Sequence, residues 1–339
     1  MSNDTTHDVA VLGAGSWGTA LAKVLADKHH RVALWGRNVE HSADIERTRE
    51  NAKYLPGAKL AGTLHATSDL KASIAGKKFI VSVVPSHTTR QVLSEIASSL
   101  DPDAIVISAS KGIENESLET MDEVMKSVMP GRIGARLAFL SGPSFAKEVG
   151  RDLPTAVVMA ARDRNSAELG AELFRGERFR VYTSDDVTGV ELGGALKNVM
   201  AIAAGIIDGM GLGHNTRAAL ITRGLAEITR LAVRKGANPL TLAGLAGMGD
   251  LILTCTGDLS RNRSVGIGLG QGKKLAEVLG SMTQVAEGVK TTKSAYDLSE
   301  KVGVEMPITR VVYQVLYEDR PTSEAVYELM GRAPKHELG

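Results

Sequence analysis

The stretch VAVLGAGSWGTALAKVLA places Gly13-x-Gly15-x-x-Gly18 directly after an apolar run and at the opening of a helical pattern. A chain that starts this way is committed to a strand, a tight turn and a helix packed back on the strand. The first glycine permits the turn, the second lets backbone come close to a pyrophosphate, and the third lets helix and strand touch. A diphosphate would rest on the amide groups at the positive end of that helix. Gly13, Gly15 and Gly18 are therefore candidate dinucleotide contacts.

The pattern that follows extends this unit. VAVLG, RVALWG, KFIVSVV, AIVISAS, RLAFLSG, TAVVMAA and RFRVYTS read as strands, with amphipathic segments such as Trp17–Lys28 and Thr88–Ser99 between several of them. Apolar strands alternating with helices predict an α/β half whose sheet is largely parallel and covered on both faces. After residue 186 the pattern becomes helical, over Val190–Met210, Thr216–Lys235, Leu275–Leu279, Lys290–Val302 and Ile308–Tyr317. The expected division is a dinucleotide-binding domain, 1–188, and an all-α substrate domain, 189–339.

Other turns gather on the edge where the strands end. The second strand closes on Trp35, Gly36, Arg37, Asn38, with no acid before Glu40. An acid there would select NAD through the ribose hydroxyls, whereas Arg37 can pair with a 2′-phosphate, so NADPH should be accepted as well as NADH. SASKG sets Lys111 just after a strand. SGPS repeats the arrangement with Gly142 and Ser144, where proline suits a first helical turn and amide groups beside Ser144 could receive an anion.

GGALKNVMAIAAG poses a sharper question. On a helix, Gly194, Lys197, Ala201, Ala204, Gly205 and Asp208 share one face, while Leu192, Leu196, Val199, Ala203, Ile206 and Met210 form an apolar stripe on another. Lys197 thus lies among minimal side chains, where a ligand or another backbone can approach. In a dry cleft shared with Lys111, its pKa would fall toward the working pH and suit it to proton transfer at a carbonyl. In GMGDLILTCTGDLSRNRSVGIG, Ser260 can cap a helix beside Arg261 and Asn262, a mono-phosphate site, with Arg263 as plausible as Arg261 on chemistry alone. Asp250 could hold a substrate hydroxyl or orient Lys197.

Composition narrows the class. Lys plus Arg (40) balance Asp plus Glu (39), and aromatics make up 4% of the chain, so neither nucleic acid nor a membrane surface is an expected partner. Cys255 is the single cysteine, so no disulfide or thiolate metal site is expected. MSNDTTHD lacks the marks of a signal peptide, and Glu191, Lys197 and Asp208 interrupt the longest apolar segment, so a cytoplasmic protein with no integral membrane segment is expected. GIGLGQGKK imitates a nucleotide loop but has Ile267 for its first glycine and Lys274 for its Ser or Thr.

With these residues in view, the sequence resembles bacterial NAD(P)-dependent glycerol-3-phosphate dehydrogenase. The resemblance rests on GAGSWGTALA, YLPG, SKGIE, SGPSFA, VELGGALKNV, ALITRGLAEI, GMGDLILTCT, SRNR, EGV and MPIT, from Gly13 to Thr309. It implies a Rossmann-type domain, an all-helical C-terminal domain, commonly a homodimer, and reversible reduction of dihydroxyacetone phosphate to sn-glycerol 3-phosphate for phospholipid synthesis. By position, Lys197 matches the proton acceptor, and Lys111 meets substrate and cofactor. Gly142, Ser144, Asp250, Ser260, Arg261 and Asn262 match substrate contacts. Ser16, Trp17, Arg37, Asn38, Tyr54, Ala146, Arg261, Val285 and Glu287 match cofactor contacts. Rival expectations are a keto-acid reductase of the same two-domain plan and a cofactor-binding sensor without turnover.

Overall fold

The computed structural model describes residues 5–282, 286–333 and 336. Val285 lies outside the described residues. Eight strands form one sheet: β1 (Asp8–Leu12), β2 (Arg31–Trp35), β3 (Leu64–Thr67), β4 (Phe79–Ser82), β5 (Ile105–Ser108), β6 (Leu137–Ser141), β7 (Thr155–Ala160) and β8 (Phe179–Ser184). Their order is β3-β2-β1-β4-β5-β6-β7-β8.

Strands β1 to β6 run parallel, whereas β7 turns antiparallel to β6 and β8 follows β7. The reversal has a simple cause. Between β6 and β7 the only helix is Ala146–Val149. With no full crossover helix there to pack on a sheet face, the chain turns back beside β6 instead of returning to start a parallel strand.

Alternation along the strands builds both faces. Val9 and Val11 face one buried layer with Leu21, Leu25 and Phe174, and Ala10 and Leu12 face the other with Ile80, Leu93 and Val106. Strand β3 is only four residues long and gives a weaker signal than its neighbours. Its sequence LHAT buries only Leu64 fully, so no apolar run announces it.

Beyond Ser184 every regular element among the described residues is helical. Asp186 caps the first, Val187–Gly209, by accepting from the Gly189 amide at 2.9 Å. This lysine helix is not two-faced, as its apolar stripe suggested. Every residue from Leu192 to Ile207 is buried, because Gly213–Arg234, Asp250–Thr256, Arg261–Gly270, Glu287–Val302 and Pro307–Tyr317 all pack around it. It is long and apolar enough to cross a membrane, as is Pro239–Thr256, so the interrupting charges did not exclude that by composition. Here its surface is enclosed by protein.

The glycines settle what comes close to this helix. A Cβ on Gly205 would overlap the carbonyl of Arg263, and one on Gly266 would overlap that of Ile202. Gly209 and Gly270 repeat the contact one turn on, against Ile267 and Ile206. Helices Val187–Gly209 and Arg261–Gly270 thus meet backbone to backbone along a four-residue rhythm. Gly193 fits against the Ala246 carbonyl, and Gly194 against Ser141 at the end of β6.

The two halves exchange core residues. Val187, Val190 and Ala246 pack under the sheet, while Ile113, from the loop after β5, is buried in the helical core with Leu196, Met200 and Leu298.

Candidate active site

The turn after β1 is built as a phosphate cradle. Gly13 has φ +122°, and a Cβ there would press on the Val83 carbonyl at 2.8 Å. Gly15 starts helix Ser16–Asp27 with no side chain to cap it, and an added Cβ would meet nothing within 4 Å. That open approach at a helix N-terminus is what a diphosphate requires. Trp17 contributes a second fitting observation, since its Nε1 is sealed from solvent with no hydrogen-bond partner.

At the end of β2, Arg37 is exposed and Asn38 caps helix Val39–Thr48, its Oδ1 accepting from the His41 amide at 2.7 Å. Tyr54 packs edge-on to His41 with ring centroids 5.2 Å apart. Gly13, Gly15, Ser16, Trp17, Gly18, Arg37, Asn38 and Tyr54 therefore surround the carboxyl ends of β1 and β2. These residues fit a nicotinamide dinucleotide.

The lysines meet across the sheet edge. Lys111 follows β5, and its Nζ donates to Asp250 Oδ2 at 2.5 Å and to the Gly142 carbonyl at 3.4 Å. Asp250 is 2% exposed and begins helix Asp250–Thr256, directly after the π-helical turn Leu245–Gly249. From the other side Lys197 Nζ lies 3.3 Å from Asp250 Oδ1. It donates to Thr254 Oγ1 at 2.8 Å and to Asn198 Oδ1 at 3.2 Å. Lys197 is itself 6% exposed, which excludes a snorkelling surface lysine.

Burial is the main reason the Lys197 ammonium loses affinity for its proton, and its pKa falls to about 8. Asp250 opposes the fall and Lys111 adds to it. The expected depression is present, with dryness rather than the second lysine as its first cause.

A polar chain continues into the helical half. Asn262 Nδ2 donates to Asn198 Oδ1 at 2.9 Å, and Asn262 Oδ1 accepts from the Gly288 amide at 2.9 Å. Ser260 caps helix Arg261–Gly270 by accepting from the Arg263 amide at 3.2 Å. Arg263 is committed to Asp208 (2.8 Å) and Asp258 (3.0 Å), which removes it as an equal of Arg261. Burial raises the pKa of Glu287, and exposed Arg261, followed by Lys197 and Lys111, only opposes that rise. Glu287 opens helix Glu287–Val302, so it belongs to the same charged group.

One local expectation is corrected. Pro143 does not start a helix, because the helix begins at Ala146 with Phe145 as its N-cap. Ser144 instead donates from Oγ to the Gly142 carbonyl at 3.0 Å, folding the turn on itself. Gly142, Ser144 and Ala146 still follow β6 beside Lys111. Thr254 and Asn198 are the site residues that sequence reasoning passed over. Thr254 stands four residues after Asp250 on one helix face, and Asn198 is next to Lys197, so helical spacing held a clue to the first.

Two cations, one buried carboxylate between them and a cluster of amides make a charged site suited to a small anion carrying a carbonyl or hydroxyl. Comparison with known proteins agrees. Residues 8–167 match the family model described as NAD-dependent glycerol-3-phosphate dehydrogenase N-terminus, and residues 186–327 match that of its C-terminus. The glycerol-3-phosphate dehydrogenase (NAD(P)+) of Geobacter metallireducens is 57% identical over 331 residues, covering 98% of this chain and 99% of that protein. The crystal structure of glycerol-3-phosphate dehydrogenase from Coxiella burnetii is similar with a TM-score of 0.93 and 43% identity, covering 96% of this chain and 99% of that one. A ketopantoate reductase from Ralstonia eutropha shares the fold alone, at TM-score 0.59 and 18% identity. From cradle to lysine pair, and along nearly its whole length, the chain belongs to the NAD-dependent glycerol-3-phosphate dehydrogenase family.

Proposed function

We propose that this protein reversibly reduces dihydroxyacetone phosphate to sn-glycerol 3-phosphate with NADPH or NADH. The observation that carries the reading is the buried Lys197 ammonium, held by Thr254, Asn198 and Asp250, with a pKa of about 8. Such an amine gives up and takes back a proton near neutral pH.

The nicotinamide cofactor, when bound, supplies the hydride. Residues 1–188 hold it through the glycine turn, with Trp17, Arg37, Asn38, Tyr54 and Ala146 around it. Residues 189–339 hold the substrate. Ser260, Arg261 and Asn262 bind the phosphate through charge-assisted contacts. Lys111 keeps Asp250 paired and binds the substrate oxygens. Lys197 protonates the carbonyl oxygen as it becomes an alkoxide, and recovers the proton in the reverse direction. Gly142 and Ser144 close the sheet side of the cleft, and Glu287 closes the helical side.

Arg37, exposed at the end of β2, supports acceptance of a 2′-phosphate beside NADH. The product is the backbone of glycerophospholipids, which supports a supply role in lipid synthesis. A cytoplasmic homodimer is the form we propose. The exposed apolar side chains Leu240, Met248 and Ile252 offer a surface that a second copy can cover.

The test follows the ultraviolet absorbance of the reduced nicotinamide, with dihydroxyacetone phosphate and each cofactor in turn. Consumption is expected with this substrate and not with unphosphorylated keto acids. Turnover of a keto acid in preference would make the chain a reductase of another substrate class. Binding without turnover would make it a sensor.

A further inference from the structure

Lys111 sits on a loop whose stance is fixed from outside the cleft. Residues 109–120 leave β5, fold back and bridge Ile113 to Thr120. Gly112 has φ +149°, and a Cβ there would strike Ser86 Oγ at 2.6 Å, at the start of helix Ser86–Ile96. One turn along that helix, Arg90 reaches into the centre of the loop. Its Nε and Nη2 donate to Glu114 at 3.0 and 2.7 Å, Nη2 also meets Glu119 at 2.7 Å, and Nη1 donates to Ser127 Oγ at 2.6 Å. The guanidinium holds the Glu114 carboxyl below the usual carboxylate range. Glu114 follows Lys111 by three residues, with the core residue Ile113 between.

We propose that Arg90 is a positioning residue: by clamping Glu114 and Glu119 it sets the loop that keeps the Lys111 ammonium between the Gly142 carbonyl and Asp250. This rests on the reading of Lys111 and Lys197 given above. Nothing about the bond pattern of Arg90 serves the substrate directly, since all its described partners lie on the loop and on helix Met121–Val128.

The consequence can be read at Lys197. The titratable groups that face it are Asp250 and the Cys255 thiol on one helix, Lys111 on the loop, and Glu287 on another helix, and burial keeps the thiol protonated. If Lys111 withdraws, Lys197 loses a repelling neighbour and Asp250 loses a competing partner. Both changes favour the charged amine, so its titration must move to higher pH.

The experiment titrates Lys197 in the cofactor-free protein by NMR of isotope-labelled lysine side chains, assigned with Lys197→Met. Arg90→Met is expected to raise the midpoint by about one unit. It should also raise the KM for dihydroxyacetone phosphate several-fold, and more than that for the nicotinamide cofactor. Arg90→Lys should restore part of both. Glu114→Gln, which keeps the shape of the loop, should reproduce the direction of the shift and serves if Arg90→Met does not fold. Lys111→Met runs alongside. A midpoint that moves in Lys111→Met but stays fixed in Arg90→Met and Glu114→Gln overturns the role of Arg90 and leaves the lysine reading intact. A fixed midpoint in Lys111→Met, together with full turnover in Lys197→Ala, removes both.

Discussion

Lys197 shows how the proton affinity of one side chain depends on where its helix lies. An ammonium in water holds its proton far above neutral pH, but here burial lowers that affinity and Asp250 limits the fall. The direction of the pH response follows. On the proposed role of Lys197, ketone reduction draws on the protonated amine, so its rate should fall as pH rises through about 8; alcohol oxidation draws on the free amine and should rise over the same interval. Profiles of kcat/KM measured in both directions check this, and parallel profiles would assign the proton to another group. Lys197→Ala should lower kcat by roughly a hundredfold or more while the cofactor still binds, because the loss is in proton transfer. Sequence alone pointed to this lysine because its company of glycines and alanines was odd. Asn198 gave no such sign, since an asparagine in a helix is ordinary until its distant partners are known, and Thr254 gave only its helical spacing from Asp250.

At the scale of elements, the contact between Val187–Gly209 and Arg261–Gly270 sets the spacing of the site. Asn198 and Asn262 hydrogen-bond across it, and backbone contact at Gly205 and Gly266 lies one to two turns further along. Gly266→Ala should therefore cost about 1–3 kcal/mol in denaturant unfolding, since the new methyl has no room before the Ile202 carbonyl. An unchanged midpoint would mean that the helices can part freely. The glycines at 193, 194 and 205 were legible as signs of close approach. Their target was not, because a glycine does not say whether a ligand or a backbone comes near. Strands with long apolar runs and helices with regular periodicity were equally legible. The four-residue β3, the π-helical turn before Asp250 and the reversal at β7 were not, because they depend on connections and neighbours rather than on local pattern.

At the scale of the whole molecule, the junction between the halves carries an acid with an unusual setting. Glu191, near the start of the lysine helix, accepts from the Asp122 amide at 3.0 Å, and its Oε2 is sealed without a partner. Burial, with Asp122 nearby, raises its pKa to about 8. The unfolded chain gives up this proton at about 4.5 and the folded chain only near 8, so this group makes stability decline as pH rises between those values. Glu191→Gln should flatten that decline, seen as a Tm advantage over the native protein that grows toward pH 8; a constant difference would show that the acid is ionised throughout. Ile113 adds a further consequence. The loop that bears it is tied to the sheet by the Ala109 amide and to helix Glu287–Val302 by Ser294, so the first half is stitched into the second at a point far from the covalent connection at Asp185. Heat should therefore dismantle both halves in one cooperative calorimetric transition, with neither surviving as a folded remnant once the other has melted.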